Sequence, residues 1–162
     1  MSALFLIIVQ FAIIAYALIG GIFIAFSDFI MRSLARTSGT GGVEAMQTIN
    51  REVFRWIFMA LFLGLAPLSL GVVIYGVFMV GGSTGTVLAA AGLSYFVGCF
   101  GVTVAYNVPL NERLAKMNIG EETTTRFWRD TYLPQWTWWN SVRGGACILA
   151  AALLLTTLPA LG

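Results

Sequence analysis

The sequence predicts an all-α fold, an integral membrane four-helix bundle, from two observations. The first is composition, because 59% of the residues are hydrophobic and only 10% are charged, whereas soluble domains carry about 25% charged residues. The second is segregation of the charges, since none lies in 1–27, 56–111 or 144–162. An apolar helix needs about 20 residues to cross a bilayer. The three uncharged segments therefore hold one, two and one membrane spans.

A single membrane domain is predicted for 1–162, with spans at about 4–31, 53–80, 87–107 and 134–158. The second and third spans are separated by GGSTGT (residues 81–86), where glycine and small polar residues indicate a turn. The fourth span cannot begin at Gly144, because the segment from there to Leu158 is only about 22 Å long as a helix. A start near Pro134, which a first helical turn tolerates, gives the required length.

The charged residues predict the orientation of the bundle. All nine Lys and Arg and all seven Asp and Glu lie in 32–52 and 108–135 or at helix ends on that side. The positive-inside rule makes this side cytoplasmic and places both termini on the non-cytoplasmic side. The start MSALFLIIVQ lacks the pattern of a cleaved signal peptide, so the first span is expected to be retained. We expect a multi-pass protein of a bacterial cytoplasmic membrane, with any chemistry at the cytoplasmic end.

Residue types that are missing restrict the chemistry. The chain has no histidine, so the common ligand sets of haem, copper, zinc and non-haem iron are lacking. Its two cysteines, Cys99 and Cys147, lie far apart in predicted spans and are expected to be packing residues. No metal and no cofactor are predicted. The net charge of +2 is an orientation signal, so no nucleic-acid partner is expected.

An aromatic stripe precedes the last apolar run, in TYLPQWTWWNSVRGG (residues 131–145). At steps of 4, 4, 3 and 4, the spacing of one helical face, stand Trp128, Tyr132, Trp136, Trp139 and Arg143. Asn140 is adjacent on the same face. A tryptophan belt at the membrane surface is the alternative interpretation, chiefly for Trp128 and Trp138. A belt does not require an arginine inside the apolar zone, so we expect Arg143 to face the bundle interior.

An intramembrane arginine needs a partner, and several polar side chains are expected at its depth. The candidates are Asp28, Glu52, Glu112 and the amides of Asn107 and Asn111. The two amides flank Pro109, which is predicted to kink or end the third helix. Amides beside a proline either satisfy freed backbone groups or line a cavity, and both interpretations stay open. Asp28 is alternatively the first solvated residue of its helix end, and Asn50 a helix cap.

Four blocks of the chain resemble, in order, those of the anthrone oxygenase family. The blocks are GIFIAFSDFIMRSLAR, AMQTIN, GVTVAYNVPLNERLA and FWRDTYLPQWTWWNSVR. The resemblance implies a small four-helix membrane protein. Characterised fungal members of that family are associated with oxidising anthrones to anthraquinones with dioxygen, without an established metal or flavin. The resemblance implies the same kind of chemistry as an expectation for this chain. Bacterial members form a membrane domain of unknown function.

The resemblance and the polar residues together predict a site for a flat aromatic or quinone-like small molecule. Its ring would stack on Trp136, Trp139 or Tyr132, and its oxygens would accept hydrogen bonds from Arg143, Asn107, Asn111 and Asn140. Arg143, Asn140 and Asn107 are the predicted catalytic residues. The predicted ligand-binding residues are Asn111, Trp136, Trp139, Tyr132, Trp128, Asp28 and Asn50. Many family members have histidine where this chain has Ser141, and serine cannot replace a histidine base.

Functions of different classes stay open. One is an anthrone-oxygenase-like oxidoreductase, and the alternative is a non-catalytic lipid-binding or quinone-binding unit or accessory subunit of a larger membrane complex. A transporter is a third, although four spans form a pore only by oligomerising. Small residues at spacing four, Ala17, Gly21 and Ala25 with Ala60 and Gly64, indicate helix contacts within the chain, in a homo-oligomer or with partner subunits. The lipid bilayer is the remaining expected partner.

Overall fold

The computed structural model describes residues 3–161, with all their side chains except that of Trp56. Five helices make up this part of the chain, and it contains no strand. They are α1 (Ala3–Ala35), α2 (Gly41–Glu52), α3 (Ile57–Val80), α4 (Gly82–Ala115) and α5 (Glu122–Leu161). The predicted all-α class is therefore confirmed. Residues 1, 2 and 162 of the predicted domain lie outside the described residues.

Four of the helices, α1, α3, α4 and α5, are long and apolar enough to cross a membrane. They form a closed bundle in which α1 packs against α5, α5 against α4, α4 against α3, and α3 against α1. The fifth helix, α2, is short and amphipathic and packs on the ends of α1 and α4. The four predicted spans are thus present as helices, while the orientation of the bundle in the membrane stays a prediction.

Three helices, α1, α4 and α5, are longer than predicted, and the turn predicted for residues 81–86 is wrong because α4 already begins at Gly82. In α4 and α5 the helix also continues past a proline that was expected to bound it. Pro109 lies inside α4, which continues to Ala115, and Pro134 lies inside α5, which begins at Glu122. Each proline stands two residues after a π-helical turn, Thr103–Asn107 and Trp128–Tyr132 respectively. A π turn widens the helix and shifts its hydrogen bonds by one residue. Because α4 continues to Ala115, the expected end of the helix at Pro109 is wrong, and a kink there stays a prediction.

The core of the four-helix bundle consists of apolar side chains and two tyrosines. Tyr16 and Tyr95 are fully buried and stack at 4.9 Å between ring centroids. The Tyr16 hydroxyl lies 2.6 Å from Ser69 Oγ, and the Tyr95 hydroxyl donates to the Phe62 carbonyl at 2.8 Å. Buried hydroxyls without partners would destabilise the fold, so these bonds specify how α1, α3 and α4 meet. Cys99 and Cys147 are free and buried in the same core, as predicted.

A second apolar cluster covers the polar end of the bundle. It contains Met31, Val43, Met46, Leu114, Phe127, Trp128, Tyr132 and Trp136. Gln47 of α2 fixes this layer, because its Nε2 donates to the carbonyls of Leu114 and Met117 at 2.8 and 3.0 Å. These carbonyls belong to the last turn of α4 and its exit, where helix acceptors lack intrahelical partners. The segment 32–52, expected to be a polar connection, thus contains a helix that closes the bundle.

The glycines of the bundle fall into two groups, those facing open space and those where two helices touch. Gly21 and Gly64 of the predicted contact stripes have no neighbouring atom within 4 Å of an added Cβ. At Gly85 and Gly92, by contrast, an added Cβ would lie 2.2 Å from the Gly76 carbonyl oxygen and 2.5 Å from that of Ser69. Glycine therefore permits close approach of α3 and α4 inside the bundle. The Gly21 and Gly64 faces are open, and the homo-oligomer stays a prediction.

Candidate functional site

Arg143 lies in the bundle interior and is only 5% exposed. Its Nη2 donates to Asn140 Oδ1 at 2.6 Å, and its Nη1 donates to Thr103 Oγ1 at 3.2 Å. Its Cζ stands 4.2 Å from the centroid of the Phe23 ring and 5.3 Å from that of Trp136. Ring faces attract a desolvated guanidinium by about 2 kcal/mol. The prediction that Arg143 is a buried member of a polar network is confirmed.

None of the expected partners of Arg143 forms a hydrogen bond or an ion pair with it in residues 3–161. The ion pairs formed by arginine in residues 3–161 are Arg55–Glu52, Arg126–Glu122 and Arg129–Asp130, all at exposed positions. Asp28, Glu52 and Glu112 are themselves exposed, so the expectation of a carboxylate partner is wrong. The physical reason is depth, because the carboxylates remain where water solvates them. The cation is held by neutral dipoles and ring faces instead, and its Nε has no hydrogen-bond partner among the described residues.

Asn140 connects Arg143 to α1. Its side chain is fully buried, and its Nδ2 donates to the Phe23 carbonyl at 2.5 Å and to Ser27 Oγ at 2.7 Å. Ser27 belongs to a π-helical turn of α1, Phe26–Ile30. We call Arg143, Asn140, Thr103, Phe23 and Ser27 the arginine cluster. Three helices, α1, α4 and α5, contribute to it.

A second set of predicted residues meets next to the arginine cluster. Asn111 Oδ1 accepts hydrogen bonds from the Tyr132 hydroxyl and from Trp136 Nε1, each at 2.8 Å. Asn50 Nδ2 donates to the Tyr132 hydroxyl at 3.3 Å. Trp128, Tyr132 and Trp136 stack in sequence, with centroid separations of 5.3 and 6.2 Å. The predicted stripe is therefore correct for these three rings, which are buried in the second apolar cluster.

The remaining predicted residues lie elsewhere. Trp139 stacks on Tyr106 at 3.7 Å, because a step of three residues turns it about 60° away from Trp136 on the helix. Asn107 is fully buried and donates to the Trp136 carbonyl at 3.2 Å, while its Oδ1 has no partner among the described residues. Asp28 lies on the exposed surface of α1. The structure therefore does not bring Asp28 or Trp139 to Arg143.

A groove of about 550 Å³ runs between α1 and α5 at this end of the bundle. Its residues are Ser27, Met31, Arg32, Ala35, Arg129, Leu133, Pro134, Thr137, Trp138 and Ser141. Small-molecule pockets span about 300–1,000 Å³. Ser27 and Ser141 meet at one end of the groove, and the rest of its lining includes two arginines and the apolar residues Met31, Ala35, Leu133 and Pro134. We call this feature the α1–α5 groove.

The groove and the arginine cluster share a single residue, Ser27. The predicted catalytic residues Arg143, Asn140 and Asn107 do not line the groove, whereas Ser141 and Trp138 do. Ser141 Oγ lies 2.9 Å from Ser27 Oγ and 2.9 Å from the Thr137 carbonyl oxygen. Ser141 thus opens onto the groove. Trp138, expected to contact lipid, is 66% exposed and forms part of the groove's rim.

Sequence reasoning missed Ser27, Thr103 and Phe23. A signal for the first two was present, since each is a hydroxyl residue inside an apolar run at a depth that Arg143 can reach. The expected partners of Arg143 are all charged or amide side chains, although Ser and Thr also hydrogen-bond between membrane helices. Phe23 carried no such signal, because nothing in a sequence distinguishes a ring under a cation from a ring in the core.

Three of the five π-helical turns in residues 3–161 lie near these features: Phe26–Ile30 of α1, Thr103–Asn107 of α4 and Trp128–Tyr132 of α5, while Gly76–Val80 and Phe96–Gly101 lie elsewhere in α3 and α4. Such turns are rare and frequently lie at functional sites. Within residues 3–161, no group of three or more Cys, Asp and Glu side chains could hold a metal ion. The absence of a cofactor stays a prediction.

Residues 51–153 match the anthrone oxygenase family. The chain belongs to this family. The region that matches the anthrone oxygenases includes Asn107, Asn111, Asn140, Ser141 and Arg143, whereas Ser27 lies before it. No curated protein and no solved structure matches the chain.

Proposed function

We propose that this anthrone oxygenase family member binds a flat, hydroxylated aromatic or quinone-like molecule in the α1–α5 groove and oxidises it with dioxygen. The observation that carries the proposal is the position of Ser141. Ser141, at the position where many family members have histidine, lines a groove of about 550 Å³. Its Oγ lies 2.9 Å from Ser27 Oγ of the arginine cluster. A base at that position would face a bound ligand.

The groove suits such a molecule in shape and polarity. Trp138 is 66% exposed and lines the groove, as do the apolar residues Met31, Leu133 and Pro134. A ligand ring stacked on Trp138 would have a centroid distance of about 4.5–7 Å. Since both helices are apolar enough to cross a membrane, we expect an apolar ligand dissolved in the bilayer to reach the groove from the lipid. Membrane and lipid are therefore part of the proposed binding route.

The reaction requires only dioxygen as co-reactant. The anthrone CH₂ group becomes a carbonyl group, one oxygen atom of O₂ forms the new ketone, and the other leaves as water with the two hydrogens. The first step is transfer of a proton from the CH₂ carbon to water or hydroxide at the open groove, since no side chain of the lining is a base near neutral pH. This transfer places negative charge on the oxygen of the carbonyl group opposite. A fixed cation in a medium of low dielectric constant stabilises such charge. Arg143 supplies the cation, held behind the end of the groove that Ser27 and Ser141 form.

The lining of the groove favours a second candidate, ligand binding without turnover. Its polar side chains are hydroxyls and the arginines Arg32 and Arg129, and none of these is a base near neutral pH. A quinone-binding or lipid-binding unit or an accessory subunit of a larger complex would use the same groove and need no base. Adding a histidine base at position 141 distinguishes the two functions.

Ser141→His is expected to raise the initial rate of oxidation of a hydroxylated anthrone at least tenfold over the wild-type chain. General bases contribute about 10²–10⁴ to rates, and an imidazole is neutral above a pKa of about 6.5. The rate of the variant should therefore rise with pH between about 5.5 and 7.5. The measurement is anthraquinone absorbance with purified protein in detergent micelles, against micelles alone.

The matched control is Ser33→His, which adds a histidine to an exposed position of α1 outside the groove, and should leave the rate unchanged. A Ser141→His variant that binds the anthrone but oxidises it no faster than the control would reject the oxygenase proposal and leave the binding function.

A further inference from the structure

Ser27 has an unusual set of hydrogen bonds for a residue on the surface of a groove. Its Oγ accepts from Asn140 Nδ2 at 2.7 Å and lies 2.9 Å from Ser141 Oγ. The single hydroxyl hydrogen of Ser141 goes either to Ser27 Oγ or to the Thr137 carbonyl, which is also 2.9 Å away. When Ser141 donates to Ser27, the Ser27 hydrogen has the Thr137 carbonyl as its acceptor at a long 3.4 Å, whereas hydroxyl hydrogen bonds ordinarily measure about 2.7–2.8 Å. In that arrangement the Ser27 hydrogen is weakly held, and a ligand oxygen in the groove can accept it.

The bonds behind Ser27 lead to the buried charge. Arg143 donates to Asn140 Oδ1 at 2.6 Å, and the other end of the same amide donates to Ser27 Oγ. Hydrogen bonds in a chain polarise one another, more strongly where the dielectric constant is low. The cation draws electron density from the amide, the amide draws it from the hydroxyl oxygen, and the Ser27 O–H becomes a stronger donor than an isolated serine.

Direct action of Arg143 on a ligand conflicts with its position. The guanidinium is 5% exposed and does not line the groove. Phe23 and Trp136 cover it, with ring centroids 4.2 and 5.3 Å from Cζ. Ser27 is the single residue common to the cluster and the groove. The charge therefore reaches the groove through Asn140 and Ser27.

We propose that Ser27 is the hydrogen-bond donor that binds an ionised oxygen of the aromatic ligand, and that Arg143 and Asn140 are positioning residues acting through it. The inference rests on the proposed function in taking the groove as the binding site. It adds the ligand class, a phenol or enol that binds as its anion. It also assigns a role to a residue outside the part of the chain that matches the family.

The test uses 1,2-dihydroxyanthraquinone, a dye whose colour changes when a phenol group ionises. Bound to the wild-type protein in micelles, half of the dye should be ionised at a pH about one unit lower than in empty micelles, since a hydrogen bond to a charged group is worth about that much. Ser27→Ala should abolish this shift. Ser27→Thr keeps a hydroxyl and should retain it, and a merely structural role of Ser27 does not predict this rescue.

Two further variants separate the parts of the inference. Ser33→Ala removes an exposed hydroxyl of the same helix, bonded to the Phe29 carbonyl at 2.8 Å, and should leave the shift unchanged. Arg143→Gln removes the charge, keeps Ser27 and should shrink the shift. A shift equally large in Ser27→Ala would overturn the inference while groove binding stands. Absence of dye binding to the wild type would overturn the proposed function, and the inference with it.

Discussion

Asn140→Ala is expected to lower the free energy of unfolding by about 3 kcal/mol, the lower end of the range for removing one partner of a buried charge. The variant removes the acceptor of Arg143 Nη2 and the donor to Phe23 and Ser27. No carboxylate approaches to replace it, because the ion pairs formed by arginine in residues 3–161 are at exposed positions. A guanidinium that is 5% exposed is then left with one hydroxyl and two rings. Equilibrium unfolding in mixed micelles measures the change.

The double variant Asn140→Ala with Arg143→Met gives the sharper result. Removing the charge as well as its partner should restore part of the stability lost in Asn140→Ala, since apolar replacements of buried charged groups are often neutral or stabilising. Ser141→Ala, at the adjacent exposed position, is the control and should change stability by no more than about 0.5 kcal/mol. A double variant less stable than Asn140→Ala would show that Arg143 stabilises the bundle even without Asn140, through Thr103 and the two rings.

Gly92→Ala is expected to destabilise the bundle by about 1–3 kcal/mol, the cost of overpacking a dense interior. The added Cβ would lie 2.5 Å from the Ser69 carbonyl oxygen and 2.7 Å from Val73 Cγ2. The contact cannot relax by rotating a flexible side chain, because the nearest atom belongs to the backbone of α3. Separating α3 from α4 would also disturb Ser69, whose hydroxyl lies 2.6 Å from that of Tyr16.

The control for this prediction is Gly71→Ala in α3, where nothing lies within 4 Å of the added methyl group. Alanine is the better helix former, so this variant should be neutral or more stable by about 0.5–1 kcal/mol. Thermal unfolding in detergent compares the two variants. Equal effects of the two substitutions would show that α3 and α4 are farther apart than the structure has them.

Most residues of the site could be predicted from the sequence, whereas fewer of the contacts between them could. The buried position of Arg143 follows from the length of the last apolar run, and the stack of Trp128, Tyr132 and Trp136 follows from their spacing of four. Trp139 was assigned to the same set from a step of three. That step places it on a neighbouring part of the helix surface, where Tyr106 covers it.

The partners of Arg143 were predicted incorrectly for a physical reason. Charge complementarity favours a carboxylate, but a carboxylate at this depth would itself need desolvation. Asn140, Thr103 and two rings hold the cation without burying a second charge. These contacts depend on which face of each helix points into the bundle. A π turn near the cluster changes that face in α1, α4 and α5.

The sequence by itself determined that the chain has four apolar helices and a buried arginine, because bilayer thickness and the cost of desolvating charge act on segments one at a time. The tertiary structure alone decided which residues meet Arg143. It also decided that the groove lies between α1 and α5, and that Ser27 belongs both to the groove and to the arginine cluster. Contacts between helices depend on their relative register, and a sequence read segment by segment contains no information about register.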